Sequence, residues 1–281
     1  MYKLYINGAF VRSESGHSDP VWDGEEFGSN VARASRKDAR DAVVAARAAQ
    51  GKWAGVAPGT RGLILYRLSE MLEARKEEFV ARLREGSKLS EADARKEMTA
   101  TIDRTVWYAG WCDKFAALLS TRNPVGGPHF NFSSAEPMGV VALLAPDEPA
   151  LLGLISAILP PVVAGNAVVA LASEKDPRIA MTFAEALATC DLPDGVINIL
   201  TGHRSEVAPH LARHMDVNAF AFADNDAAFT IEMQRFAAEN VKRTRLWHRQ
   251  ARKDWFEPSA QSLDDIASYC EIKTIWHPAG I

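Results

Sequence analysis

The rhythm of apolar positions changes partway along the chain and separates two kinds of structure. Gly139-Val-Val-Ala-Leu-Leu144 is continuously apolar, the pattern of a strand buried on both faces of a parallel sheet. Shorter runs of the same kind recur at 167–171, 196–200, 219–222 and 242–247. Helix-length segments at 149–163, 177–189, 205–213 and 226–238 lie between them. Strand–helix alternation with short connections predicts a doubly wound α/β sheet.

Ahead of residue 122 the period is helical. Ser35 and Asp38 have capping-box spacing before an alanine-rich helix to about Gln50. Helices are predicted over 59–75 and 76–85. Ser90 and Asp93 cap a longer one, expected to reach about Leu119 with Ile102, Val106, Tyr108, Ala109 and Phe115 as its apolar elements. Residues 2–6 and 9–12 flank Asn7-Gly8 and predict a two-residue hairpin. The stretch 16–28 reads as turns. Residues 123–136, with Pro124, Gly126, Gly127 and Pro128 before a β-like 129–132, read as an exposed loop or hairpin arm. No internal repeat is present.

Composition narrows the class. The 281 residues are 47% hydrophobic and 24% charged, ordinary for a globular protein. A net charge of -4 gives no global attraction to nucleic acid or anionic membrane. The longest apolar run, 150–164, carries Gly153, Ser156, Pro160 and Pro161 and suits a buried helix; a membrane span needs roughly 20 apolar residues. Cys112, Cys190 and Cys270 have no CxxC spacing, which disfavours a zinc site or disulfide scaffold and fits a reducing compartment. With no signal-peptide pattern at the start, a cytoplasmic location is expected.

Local wording then points to a family. Lys3-Leu-Tyr-Ile-Asn-Gly8, Trp107-Tyr-Ala-Gly-Trp-Cys-Asp-Lys114, Glu136-Pro-Met-Gly-Val-Val141, Gly165-Asn-Ala-Val-Val169, Leu192-Pro-Asp-Gly-Val-Ile-Asn-Ile199 and Asn240-Val-Lys-Arg243 occur in the order of the aldehyde dehydrogenase superfamily. The chain resembles that superfamily over nearly its whole length. Pro146-Asp147-Glu148 and the tail Lys273-Thr-Ile-Trp276 are similar to the degenerate second half of the two-part family 16 enzymes. The resemblance implies a Rossmann-like nucleotide domain with a helical N-terminal half. Residues 1–281 are expected to form one such domain: a hairpin and helical part (1–122), a hairpin arm (123–137), the α/β sheet part (138–247) and a tail (248–281) with a terminal strand. The catalytic domain is expected to be missing, because only about thirty-four residues follow Trp247.

Aldehyde oxidation in the superfamily requires a cysteine nucleophile, an oxyanion hole and a glutamate base. The resemblance places none of them here. The three cysteines read as small buried hydrophobes. The oxyanion asparagine corresponds to the Pro146-Asp147-Glu148-Pro149 turn, where carboxylates would oppose a developing oxyanion and instead suit capping. The base corresponds to Trp247, and the two glycines that follow it to Arg249 and Gln250. No catalytic or metal-ligating residue is therefore assigned.

For the cofactor, the ribose lysine corresponds to Leu171 and its companion glutamate to Glu174, the one remnant contact assigned. The phosphate-facing turn reads Phe222-Ala223-Asp224-Asn225-Asp226; Asp224 replaces glycine, and a carboxylate near a phosphate costs roughly 1–4 kcal/mol. No tightly bound cofactor is expected, with NAD possible but weak. Lys242, Arg243, Arg245, His248, Arg249, Arg252 and Lys253, interleaved with Trp247 and Trp255, read as a solvated strand exit, with a docking surface or anion site as the alternative. Trp107 and Trp111 read as helix packing.

The expected role is an inactive subunit or domain that docks on, and stabilises, a catalytic NAD-dependent aldehyde dehydrogenase, or on a second copy of itself. The contacts would be the 123–137 arm and the 271–276 strand. A nucleotide-sensing regulatory protein and a self-sufficient NAD(P)-dependent aldehyde oxidoreductase are the alternatives. Neither nucleic acid nor membrane is expected as a partner.

Overall fold

The structure is a computed structural model that describes residues 1–223, 226–247 and 252–279, with the backbone alone at Arg252 and Lys253. At its centre is a seven-stranded sheet in the order β11-β10-β7-β8-β9-β1-β2. Strands β7 (Val140–Leu144), β8 (Ala167–Leu171), β9 (Ile197–Leu200), β10 (Ala219–Phe222) and β11 (Arg243–Leu246) are parallel. The first four are buried at every position, as their unbroken apolar sequence requires. The hairpin of β1 (Leu4–Ile6) and β2 (Ala9–Val11) extends this sheet antiparallel to β9. Its turn uses Asn7 at φ 53° and Gly8 at φ 74°, and Asn7 N donates to Asn198 Oδ1 at 2.9 Å.

Helices cover both faces. On one lie α6 (Ala150–Val163) and α7 (Arg178–Leu187), backed by α2 (Pro58–Ala74), α3 (Lys76–Ser87) and α4 (Glu91–Ala109). On the other lie α1 (Arg36–Gly55), α8 (Arg204–Arg213) and α9 (Ala227–Ala238). The α1 capping box forms as expected: Ser35 Oγ accepts from Lys37 N and Asp38 N, and Asp38 Oδ2 accepts from Ser35 N at 2.8 Å. All fourteen residues of α6 are buried; among the described residues no helix is long and apolar enough to cross a membrane.

Two expectations are corrected. Residues 16–28 are not only turns: β3 (Ser18–Asp23) and β4 (Glu26–Ala32) pair as a hairpin with a bulge at Val21/Trp22. The helix expected to reach Leu119 stops at Ala109; turns follow, then α5 (Phe115–Leu119). The arm and the terminal strand belong to one sheet. Strand β6 (His129–Pro137) sits between β5 (Thr121–Asn123) and β12 (Cys270–Pro278) in a three-stranded antiparallel sheet.

Two short 3-10 turns, Arg252–Phe256 and Pro258–Ala260, and α10 (Leu263–Ala267) lead into β12. Arg104 anchors this tail. Its guanidinium is buried on α4 and donates to Trp255 O (2.8 Å), Ala260 O (2.9 Å), Gln261 Oε1 (2.8 Å) and Ser156 Oγ (2.7 Å).

Candidate nucleotide cleft

In a doubly wound sheet, ligands bind outside the carboxyl ends of the strands where the order reverses. Here that point lies at β7, which runs between β8 and β10. The loop after β7 carries Asp147 and Glu148, the loop after β8 carries Ser173, Glu174 and Lys175, and Arg204 opens α8 after β9. These side chains bond to one another across the cleft. Arg204 Nη2 donates to Ala145 O at 2.6 Å and to Asp147 Oδ1 at 3.2 Å. Ser173 Oγ donates to Asp147 Oδ1 at 2.7 Å, and Lys175 pairs with Glu148 at 2.8 Å. The Glu148 contact holds the Lys175 ammonium above its ordinary pKa.

Helix N-termini are the usual anion sites of such folds, because unpaired N–H groups and the helix dipole converge there. Those flanking this cleft already hold carboxylates. Glu97 is fully buried, and its Oε1 accepts from Leu151 N (2.9 Å) and Leu152 N (3.3 Å) at the start of α6. Glu174 Oε1 accepts from Arg204 N at the start of α8. Asp226 Oδ1 accepts from Ala228 N (2.8 Å) and Phe229 N (3.3 Å) at the start of α9. Of the turn after β10, Asp226 thus caps α9, while Asp224 and Asn225 lie outside the described residues.

Glu174 is exposed and committed to α8. Leu171, at the position implied for the ribose lysine, is fully buried and offers no polar atom. The recess beside Glu174, lined also by Asp19, Val31, Ser173 and His203, encloses about 150 Å³. That is below the roughly 300–1,000 Å³ typical of small-molecule pockets.

Trp247 and the three cysteines are placed as clearly. Trp247 is 7% exposed and packs edge-on against Trp255, their ring centroids 6.2 Å apart. All three cysteines are buried and unpaired by disulfide. Burial pushes the thiol of Cys112 up to about 12, and those of Cys190 and Cys270 up to about 11. A thiol so far from its thiolate form is a poor nucleophile at neutral pH. Cys112 lies in the turns after α4 rather than within the helix. Trp107 and Trp111 pack on each other, centroids 5.4 Å apart, against the helical core.

Within the described part of the basic stretch, exposed Arg243 and half-buried Arg245 bond the tail. Lys242 is buried, which lowers its ammonium pKa to about 8. Arg243 donates to Ser268 O (3.1 Å) and Cys270 O (2.8 Å) and pairs with Glu271 (3.0 Å). Arg245 pairs with Asp265 at 2.5 Å. His248, Arg249 and Gln250 lie outside the described residues, as do the side chains of Arg252 and Lys253. Glu97 is a site residue that the sequence pattern alone does not single out. Its signal is a polar position on the inner stripe of α4, in step with Thr101, Arg104 and Tyr108.

Sheet order, helix arrangement and cleft position define a doubly wound nucleotide-domain fold. The aldehyde dehydrogenase family profile matches residues 11–247, and the chain belongs to the aldehyde dehydrogenase family. It is 31% identical to the mitochondrial benzaldehyde dehydrogenase of Antirrhinum majus, covering 85% of this chain and 45% of that protein. It is 30% identical to an aldehyde dehydrogenase of Emericella nidulans, covering 86% and 49%. An NAD+ complex of aldehyde dehydrogenase from Bacillus cereus superposes with a TM-score of 0.83 at 25% identity, covering 87% of this chain and 50% of that one. PnpE from Pseudomonas sp. WBC-3 gives 0.83 at 26%, covering 88% and 50%. The chain spans about half the length of the curated relatives it matches.

Proposed function

We propose that this chain is a non-catalytic aldehyde dehydrogenase family module that neither oxidises aldehydes nor binds NAD tightly. On this reading it serves as an interaction unit, docking on a catalytic aldehyde dehydrogenase through the β5–β6–β12 sheet. The observation that carries the first part is the carboxylate at each helix N-terminus of the cleft, Glu97, Glu174 and Asp226. A pyrophosphate entering there would meet anions instead of open N–H groups, and each would have to be displaced. Trp247 at the base position supports the loss of chemistry, because an indole cannot take a proton from water. Support for docking comes from β12, an edge strand of nine residues exposed over most of its length.

Titration calorimetry with NAD, NADH, NADP and AMP tests the first part. The expected result is no saturable heat at millimolar ligand. Saturable binding of any of these would move the assignment to a nucleotide sensor, and aldehyde-dependent NADH production would reinstate an oxidoreductase. Co-purification with a catalytic aldehyde dehydrogenase tests the docking. A chain that passes through the same purification without such a partner counts against it.

A further inference from the structure

We infer that the groove between α1 and α8 binds an acidic segment of a partner protein, whose carboxylates enter between Arg36 and Arg40 on one side and His210 and His214 on the other. The elements of this groove lie outside the β5–β6–β12 sheet, and the docking proposed there does not depend on them.

The two helices share a core in which Ala39, Ala42 and Val43 of α1 meet Val207, Ala208 and Leu211 of α8. A bond at each end fixes how they lie. Arg33, just ahead of α1, donates from Nε to Glu206 Oε2 at 2.9 Å. Arg47 Nη2 donates to Asp216 O at 2.6 Å and to Asn218 Oδ1 at 2.5 Å, beyond the end of α8. Helical spacing sets Arg36, Arg40 and Arg47 on one stripe of α1, and Glu206, His210 and Arg213 on one of α8.

Between those ends the groove lacks anions, in a chain whose net charge is -4. The side chains of Arg36 and His210 make no hydrogen bond or ion pair among the described residues. The carboxylates nearby are committed: Glu206 to Arg33, Asp41 to Lys37 and Arg40, Asp216 to Arg47 and Glu239 to Arg213. Both imidazoles are half-buried. Burial, and then the guanidiniums of Arg36 and Arg213, hold His210 below its ordinary pKa. Burial lowers His214 likewise; Asp216 opposes this, while Lys242, Arg40 and Arg47 add to it. His214 Nδ1 accepts from Asp216 N at 3.2 Å, which makes Nε2 its donor. Arg213 suits the C-terminal end of α8, but Arg36 opens α1, where the helix dipole disfavours a cation. Positions that break a local rule in this way mark functional sites.

The layout fits carboxylates spread along a chain better than a compact phosphate. A phosphate draws on open N–H groups at a helix N-terminus, and both are filled, α1 by its capping box and α8 by Glu174. Arg36 and Arg40 stand one turn apart, about 6 Å along the axis. Alternate side chains of an extended peptide are about 6.6 Å apart, so carboxylates two residues apart reach one guanidinium each.

The probe is a fluorescein-labelled peptide, Glu-Ser-Glu-Ser-Glu-Ser, titrated with the full chain by anisotropy at pH 7. Saturable binding is expected, weakened about tenfold or more by Arg36→Glu/Arg40→Glu. His210→Glu, which sets a carboxylate among the arginines from within, should weaken it as well. Arg67→Glu/Lys114→Glu makes the same change in net charge elsewhere and should leave binding within about twofold, because distant charges are screened. These side chains are exposed or half-buried, and melting temperatures near that of the wild type are expected for every variant. No saturable binding, an equal loss in the control pair, or binding unmoved by His210→Glu overturns the inference. Inorganic phosphate and phosphatidylserine–phosphatidylcholine vesicles are titrated alongside. Tighter binding of either than of the peptide, lost in Arg36→Glu/Arg40→Glu, overturns it too and reassigns the groove.

Discussion

Arg204 and Asp147 meet across the carboxyl end of the parallel sheet, Nη2 to Oδ1 at 3.2 Å, while the same nitrogen reaches Ala145 O at 2.6 Å. One residue opens α8 and the other follows β7, so the pair joins the loops on either side of β8. Both side chains are mostly shielded, at 15% and 32% exposure. The contact is therefore expected to have a measurable energy. In a denaturation cycle of Arg204→Ala, Asp147→Ala and the double variant, a coupling of about 1–2 kcal/mol is predicted. Additive effects would show that the bridge does not hold the cleft together.

Arg104 should matter more, because it is buried and its guanidinium reaches two carbonyls, one amide oxygen and one hydroxyl. Arg104→Ala removes these donors and leaves acceptors facing an apolar interior. A loss of about 3 kcal/mol or more is expected. Hydrogen exchange should quicken first at residues 255–261, the segment that the guanidinium holds. A uniform acceleration across the sheet would instead mean that Arg104 supports the whole core.

Acid stability should report on Arg178, which is buried and bonds both Asp176 and Asp23; the Asp23 oxygens lie 2.6 and 2.9 Å from its nitrogens. These bonds hold the Asp23 carboxyl below its usual range. A carboxyl with a depressed folded-state pKa stabilises the fold above its unfolded pKa of about 3.9, and that contribution fades as pH falls through the folded value. Asp23→Asn should therefore lower the melting temperature at pH 6, with the gap to wild type closing below about pH 4. A gap unchanged at pH 2.5 would assign the effect to hydrogen bonding independent of charge.

That pair also shows where sequence reading stops. Strands β7 to β10 are legible because burial on both faces leaves an unbroken apolar run. Hairpin β3–β4 is not, since Pro20, Gly24 and Gly28 read as punctuation. The hairpin persists through tertiary contacts, including Asp23 with Arg178 and the Tyr2–Val31 bridge. Family spacing draws attention to Leu171 and Trp247, whereas it says nothing of Glu97. A glutamate on an amphipathic helix resembles a surface residue until α6 docks its N-terminus there. The arginines of β11 show the limit from the other side: a run of charge suggests solvent, where Arg243 is indeed exposed, but not their partners Asp265, Ser268 and Glu271, some twenty to thirty residues downstream.

Trp247 offers the most direct test of whether chemistry could be restored by reverting one position. It is anchored by Trp247 N donating to Phe222 O at 3.0 Å, and its ring lies in the same buried cluster as Trp255. Trp247→Glu would exchange a large apolar group for a carboxylate with little access to water. Truncating a buried tryptophan costs about 3–5 kcal/mol, and an unpaired carboxyl adds to the loss unless it stays protonated. The expected outcome is a clearly lowered melting temperature at pH 7, partly recovered at pH 5 as the new carboxyl takes up its proton. The sign follows from burial raising the folded-state pKa of that group, so protonation favours the folded state. No aldehyde-dependent NADH should appear in either condition. A Trp247→Glu protein with the wild-type melting temperature would show that the indole is not a packing element, and NADH production would show that a single substitution separates this chain from an active enzyme.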